Sequence, residues 1–454
     1  MAHVTEQYFD QTVQSIVDVI RFDSSMKPAQ DGCPFGKETA DCLQWFLSLA
    51  ESFGFETKNY DNYAGEVIYG EGEPFAILAH LDVVPAGNGW KYPPFAGVIN
   101  DDVSDGGMKG RKIWGRGALD DKAPAICCLY ALKALKDQGI VPNRTIKLIL
   151  GCNEESGWKC IDYYKTKAEL PKEGFTPDAD FPVIYAEKGI LHIALKFPIA
   201  DAPFASIAAG ERVNMVCDKA VALVSKQTGN QLASYESFQD CFYDNTTNTL
   251  TTHGKSAHGS TPDKGVNALE KMLKFFASIH ADCQHAYNVL FADSLSLTTM
   301  EDETGKLTFS PNLATFENNT LIVTADIRFP STHKKEEIFA ILENAGVAYE
   351  VKNYQAPLYN DPNGKTIQTL LKLFNKATGH DLQPIAIGGG TYARALENGC
   401  GFGPEMPGEE ITIHQANEYV TFDRIRLMNE LYYDAIAALC TPERIHVATI
   451  KSQK

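Results

Sequence analysis

The sequence predicts an α/β fold in which a discontinuous domain, a mixed sheet flanked by helices, is interrupted by an inserted α+β domain. Three observations carry that prediction. Strand-length apolar runs alternate with helical patterns in the first part of the chain, the middle turns to alternating strand-like pieces, and helix and short-strand signals resume towards the end. A length of 454 residues exceeds what one core usually supports, so a second domain is expected. The expected boundaries are 1–188 and 356–454 for the two segments of the first domain and 189–355 for the insertion.

Phe9, Val13, Ile16 and Ile20 recur at helical spacing, and a second periodic run through Leu43, Phe46, Leu47 and Ala50 ends near Gly54, so two helices open the chain. Pro74 to Ala79 and Thr145 to Leu150 are apolar runs of strand length. Between them a helical pattern from Ala123 to Gln138 stops at Gly139. Within the insertion, Leu321 to Arg328 reads as a strand and Asn267 to Phe276 as a helix. From about Ala356 a helix, a short strand Gln383 to Ile387, a glycine run, a strand Ile411 to Ile413 and a final helix resume the first pattern.

Apolar residues make up 44% of the chain, and no stretch approaches the roughly 20 apolar residues a membrane span needs, so no membrane is expected as a partner. The opening MAHVTEQYFDQTVQSI lacks a basic start followed by an apolar core; no secretory signal is read and a cytoplasmic address is expected. Eleven cysteines, an odd number without a Cys-x-x-Cys pair, point to reduced, mostly buried thiols and against a disulfide framework or zinc ribbon. A formal charge of -17 without a Lys/Arg stripe would repel a phosphate backbone, which excludes nucleic acid as an expected partner.

Five short motifs carry chemistry. His80-Leu81-Asp82 follows the apolar run PFAILA, where a buried strand should end, and period-two geometry lets His80 and Asp82 face the same way. A carboxylate there can fix the tautomer of a metal-bound imidazole; a strand-end histidine satisfied by its neighbour produces the same pattern. Trp114-Gly115-Arg116-Gly117-Ala118-Leu119-Asp120-Asp121-Lys122 is a glycine-rich turn delivering two acids to a helix start, one expected at a metal and the other as a helix cap. The strand TIKLIL runs into Asn153-Glu154-Glu155, adjacent acids that repel unless cations hold them, as a general base beside a metal ligand requires. Asp178 and Asp180 precede another apolar run, and His414 ends the short strand ITI. Singly these are unremarkable. Together they gather mostly at ends of predicted strands, where open α/β sheets bind ligands. Two imidazoles and three carboxylates plus a bridging hydroxide balance two zinc ions, with one carboxylate shared. Two cations about 3.5 to 4 Å apart can share a water, lower its pKa and polarise a carbonyl oxygen, which is what amide hydrolysis requires.

These residues resemble the co-catalytic di-zinc amidohydrolases that include aminoacylases, glutamate carboxypeptidases and carnosinase-like dipeptidases, with the nearest likeness to PepV-like dipeptidases. The likeness spans nearly the whole chain, through His80-x-Asp82 with VVPAGNGW, GRGALDDK, NEESGW with IDYY, FTPDADFP, GKSAHGSTP, ADIRFP, GGGTYAR and HQANE. It implies that His80 and Asp178 hold one cation, Glu155 and His414 the other, that Asp120 bridges, that Glu154 is the general base and that Asp82 stands behind His80. Zinc is the implied ion, with manganese the alternative. An aspartate at 178 resembles the dipeptidase side of the family, which recognises a free amino end; Asp180 and Glu187 are lesser candidates, because the carboxypeptidase branch places a glutamate on a following strand. Ala123 stands where the family usually has glycine. The resemblance further implies that the insertion is a lid in which His258 donates to the developing oxyanion and Arg328 pairs with the substrate carboxylate when the enzyme closes. Asn214, Gly389 and Gly390 would bind substrate. An insertion longer than those of smaller relatives supplies its histidine within one chain, so an active monomer is expected.

Other features are set aside. Gly254-Lys255-Ser256 looks like the tail of a phosphate loop, but Thr249 stands where that loop needs glycine. Neither His-Glu-x-x-His nor Gly-x-Ser-x-Gly occurs. Cys127, Cys128, Cys152, Cys160 and Cys440 are read as core, and His253, His285 and His446 as surface or loop residues. The glycines at 388–390 are a tight turn or a backbone cradle for a carboxylate. The expected function is di-metal hydrolysis of the peptide bond of dipeptides. Alternatives are deacylation of N-acyl amino acids or N-succinyl diamine acids at the same metals, a metal-dependent binding protein, which would have no need of Glu154, and phosphoester hydrolysis, against which the acidic surface counts.

Overall fold

The computed structural model describes residues 3–100, 110–232 and 241–442, so His446 lies outside the described residues. The chain gathers into two compact units, one of Met1–Tyr185, Asn360–Ile385 and Thr391–Lys454, the other of Ala186–Tyr359 and Ala386–Gly390.

The first unit is built on a mixed sheet of β1 (Glu56–Tyr60), β2 (Ala64–Tyr69), β3 (Glu73–His80), β4 (Arg144–Gly151), β5 (Glu173–Thr176), β6 (Ile184–Glu187) and β7 (Asn398–Gly401). Their spatial order is β1-β2-β4-β3-β5-β7-β6. β3 runs parallel to both β4 and β5, and β7 parallel to β5, whereas β1, β2 and β6 pair antiparallel. The last six residues of β3 are buried without alternation, as expected of a central parallel strand covered on both faces. The parallel register sets His80 opposite Gly151 and Ile77 opposite Phe175, so the three chain segments leave the sheet along one edge.

Helices α1 (Phe9–Ile20), α2 (Lys37–Ser52), α3 (Lys122–Asp137), α4 (Lys159–Lys167), α5 (Lys365–Thr378) and α6 (Phe422–Cys440) flank this sheet. α3 packs on α1 and α6 and is buried on almost every side, which explains an apolar sequence without a clean polar face. It stops where Gly139 adopts a φ of +70°, a conformation that costs glycine little. Cys127, Cys128, Cys160 and Cys440 are buried in the core.

The second unit is an eight-stranded antiparallel sheet, ordered 241–244, 249–253, 219–224, 204–209, 308–317, 320–329, 189–198 and 348–355. Helices Ala268–Ile279, Ala281–Leu290 and Lys335–Asn344 belong to it, and Leu269, Met272, Phe276, Ile338 and Leu342 share one core with Leu191, Ile193, Val323 and Ile327 of the strands. Asn267 caps the first of these helices, accepting from the N–H groups of Leu269 and Glu270. His253 and His285 are exposed.

Several local readings change. Ile411–Ile413 is not a strand: Ile411 is 59% exposed, and His414 lies in a turn with a φ of +60°. The run Ile411-Thr412-Ile413 pairs with no strand among the described residues. The segment Gln383 to Ile387 is strand only over Ile385–Ile387. Residues 386–390, read as part of the closing segment, group with the second unit, where Lys188 N–H donates to the Ile387 carbonyl at 2.9 Å and Arg328 Nη1 to that of Gly388 at 3.1 Å. The β1–β2 hairpin and α4 escaped the reading because their sequences, ETKNY and KCIDYYKTK among them, are mostly polar. Among the described residues no helix is long and apolar enough to cross a membrane.

Candidate metal centre

The sheet delivers the predicted ligands from separate places in the chain. His80 is the last residue of β3, Glu154 and Glu155 follow β4 by three and four residues, and Asp178 follows β5 by two. Asp120 comes from the turn before α3, and His414 from the turn before α6. Two groups result: His80, Asp120 and Asp178 have ligand atoms within 4.8 Å of one another, and so do Asp120, Glu155 and His414. Asp120 is common to both. Its Oδ1 lies 3.0 Å from His80 Nε2 and its Oδ2 2.9 Å from His414 Nε2. Asp178 Oδ2 is 3.5 Å from His80 Nε2, and Glu155 Oε2 is 3.1 Å from His414 Nε2.

The chemistry of this set fits divalent cations. His80 Nδ1 lies 2.9 Å from the backbone carbonyl of Asp82, which can only accept, so Nδ1 carries the proton. The Nε2 lone pair then points at the oxygens of Asp120 and Asp178, and this buried nitrogen has no hydrogen-bond partner. Acceptors converging in a buried place require a proton or a cation between them. In the metal-free chain protons serve. Burial would lower His80, but Asp120, Asp178 and Asp82 raise it well above the usual imidazole range, and Asp120 and Glu155 raise His414 to about 11. Burial pushes Glu154 up to about 8, with His80 opposing and Asp178 and Glu155 adding to the rise; burial, then Asp120, also raises Asp178 and Glu155. Asp120 alone in this group is held below its usual range: burial would raise it, but the imidazoles of His414 and His80 beside it outweigh that.

Supporting residues differ in part from expectation. The Asp82 carboxylate is 3.6 Å from His80 Nδ1, while its two oxygens accept from the N–H groups of Glu154 at 2.9 Å and Glu155 at 3.1 Å. Asp82 thus orients the imidazole through its backbone and holds the paired glutamates through its side chain. Asp121 occupies the N-cap position of α3 but makes no side-chain cap bond; its Oδ2 instead accepts from His80 N–H at 3.1 Å. The expected helix cap is therefore replaced by a brace on the metal-ligand strand. Asp180 belongs to neither ligand group, and Glu187 is buried at the end of β6. Cys152, beside the glutamates, is buried, and burial pushes its thiol well up.

Two further residues escaped sequence reasoning. Trp158 Nε1 donates to Glu154 Oε1 at 3.0 Å. Glu418, fully buried, accepts from Arg116 Nη1 at 2.8 Å and from the N–H groups of Gly117, Leu119 and Asp120 at 3.2, 2.8 and 3.1 Å. It fixes the turn that presents the shared aspartate. Its place in HQANE was the only signal, and about 300 residues separate it from the turn.

The second unit brings His258, Asn214 and Arg328 into one neighbourhood. His258 Nδ1 accepts from Ser260 N–H at 3.2 Å, which leaves the ring proton on Nε2. Gly259 N–H donates to the Asn214 carbonyl at 2.8 Å, and a Cβ on Gly259 would lie 2.3 Å from Asp326 Oδ2. Arg328 donates through Nε and Nη2 to the two oxygens of Asp326 at 2.7 and 2.8 Å. It is a buried fork rather than a surface ion pair. The glycines at 388–390 show no positive φ. At Gly388 a Cβ would come within 3.1 Å of Ser260 Cβ, so close approach accounts for that glycine.

Comparison with known proteins gives a consistent picture. The profile described as peptidase family M20/M25/M40 matches residues 76–438. A protein of Staphylococcus aureus (strain bovine RF122 / ET3-1) bearing the name "Putative dipeptidase" is 33% identical over 472 residues, covering 96% of this chain and 99% of that protein. Among solved structures, aminoacylhistidine dipeptidase from Vibrio alginolyticus superposes with a TM-score of 0.56 at 14% identity over 94% of this chain and 96% of the other. Human carnosine dipeptidase 1 gives 0.54 at 12% identity over 96% and 97%. At such identities these likenesses speak for the fold, a catalytic domain with an inserted lid domain.

Proposed function

The chain belongs to peptidase family M20/M25/M40 and is a metallopeptidase, and from that premise we propose that it is a dipeptidase holding two zinc ions. His80 and Asp178 hold one ion, Glu155 and His414 the other, and Asp120 both. The observation that carries this reading is the sharing of Asp120 by two ligand groups, with Glu154 next to Glu155 but in neither. Bound there, the two cations supply an activated water and a Lewis acid for the scissile carbonyl.

The chain's own residues do the rest. Glu154 is the general base: with Oε1 engaged by Trp158, Oε2 accepts the proton of the attacking water, and the carboxyl then passes it to the leaving amine. Asp82 is a positioning residue for that loop. His258 offers Nε2–H to the developing oxyanion. Arg328, fixed by Asp326, has N–H groups left for a substrate carboxylate, with Asn214, Gly389 and Gly390 as further substrate contacts. Because the insertion carries its own histidine and arginine, the active form is a monomer, working in the cytoplasm on small peptides.

The test is a panel of dipeptides and N-acyl amino acids assayed with the purified chain and added zinc or manganese. Dipeptides with a free α-amine should be hydrolysed and their N-acylated counterparts left intact. Faster turnover of the N-acyl compounds would make the chain a deacylase instead.

A further inference from the structure

A cavity of about 480 Å³ in the first unit takes no part in the steps above. Its volume lies within the roughly 300–1,000 Å³ typical of small-molecule pockets. Phe181, Pro182, Ile385 and Met406 give it apolar walls; of the three carboxyl side chains that line it, Glu409 is paired with Arg424, and the other two are Asp180 and Glu405. These acids are register partners: Ala179–Asp180 pairs in parallel with Pro404–Glu405, Asp180 opposite Glu405. Along the chain both walls lie close to proposed metal ligands. Asp180 stands two residues after Asp178, and Ile411, at the other wall, three residues before His414.

The electrostatics of the cavity call for a cation. Glu405 Oε1 is buried with no hydrogen-bond partner. Arg424, whose charge bears on Glu405, spends its guanidinium on the Pro404 carbonyl and the Glu409 carboxylate. Burial and the neighbouring Asp180 push Glu405 up to about 7. A carboxyl pair between apolar walls is relieved by a positive charge brought in on an apolar stem.

We propose that this cavity is a specificity pocket for a substrate side chain that is aliphatic along its stem and cationic at its tip, an ammonium or guanidinium received by Glu405 and Asp180. Lysyl and arginyl dipeptides are the substrate class it selects. The inference rests on the dipeptidase reading and adds the side chain to it.

The experiment compares kcat/KM for lysyl-alanine, alanyl-lysine and their norleucine and glutamate counterparts, using the zinc-loaded full chain and its Glu405→Gln variant. A charge-assisted contact predicts that lysine in one of the two positions exceeds norleucine by about 10- to 100-fold, and that this ratio falls towards one in the variant. In case the variant does not fold, n-butylguanidine and n-butylurea are compared as inhibitors of norleucyl-alanine hydrolysis by the unaltered chain, and only the guanidine should compete. Equal rates for lysine and norleucine, a ratio that survives Glu405→Gln in a metal-loaded, folded variant, or equal inhibition by the two butyl compounds would overturn the pocket. Failure to hydrolyse any dipeptide would instead remove the dipeptidase reading beneath it.

Discussion

Glu154 and Glu155 are neighbours with different surroundings, and that difference supports the proposed division into a base and a ligand. Glu155 reaches His414 and the group around Asp120, whereas Glu154 turns to the indole of Trp158. Replacing Glu154 by glutamine keeps the shape and the Trp158 contact but removes the proton acceptor. Glu154→Gln should therefore lower kcat by about 10² to 10⁴ while two metal ions per chain stay bound, as metal analysis alongside kinetics would show. Loss of one ion would mean that the roles of the two glutamates are exchanged. The ligand candidates were legible only in conjunction, as five short motifs whose series resembles a known family, since each motif alone is commonplace and His414 does not end a strand. Their helpers were not: a carboxylate such as Asp82 announces a contact with its neighbour His80, yet its oxygens go to backbone N–H groups more than 70 residues away.

At the scale of elements, the centre depends on three parallel strands ending along one edge and on a turn, 115–121, that has no regular structure to hold it. Glu418 holds that turn, and it sits immediately before the short strand Tyr419–Thr421, which pairs with Lys112–Trp114 at the start of the turn. Removing Glu418 leaves Arg116, 2% exposed, as a buried charge without its carboxylate. Glu418→Ala should cost about 3 to 5 kcal/mol in denaturant unfolding and weaken metal binding through Asp120. A loss under about 1 kcal/mol would show that the turn is held otherwise. Long apolar or periodic elements such as β3, α3 and the strand Thr320–Phe329 could be read from sequence within a residue or two, because burial dictates their composition. Short elements such as β1 owe their existence to partner strands, and the segment 411–413 lacks one, so local pattern could neither reveal the first nor exclude the second.

Across the whole molecule, the metal centre is a charge problem that protons solve in the absence of cations. Glu154 rises from 4.5 to about 8, His414 from 6.5 to about 11, and Glu155, Asp178 and His80 also rise. In each case the folded, metal-free chain keeps a proton that the unfolded chain releases as pH increases. Stability must then fall as pH rises from about 5 through 8 and beyond. Asp120, shifted the other way, contributes stability that is fully present over this interval and is lost only as pH falls below its usual range. The melting temperature of the stripped chain should drop across that interval, and the gain on adding zinc should grow with pH as ligands give up protons. A pH-independent melting temperature in the stripped chain would contradict this balance. None of it could be read from the net charge of -17, because it depends on which acids the fold brings together.

A titration of metal into chelator-stripped enzyme, following dipeptide hydrolysis and bound zinc together, asks directly whether two cations carry the chemistry. Activity should be absent without metal and reach a plateau at two ions per chain, with His80→Ala and His414→Ala each losing one ion. Full activity in the stripped enzyme, or a plateau at one ion with Asp120 dispensable, would contradict it.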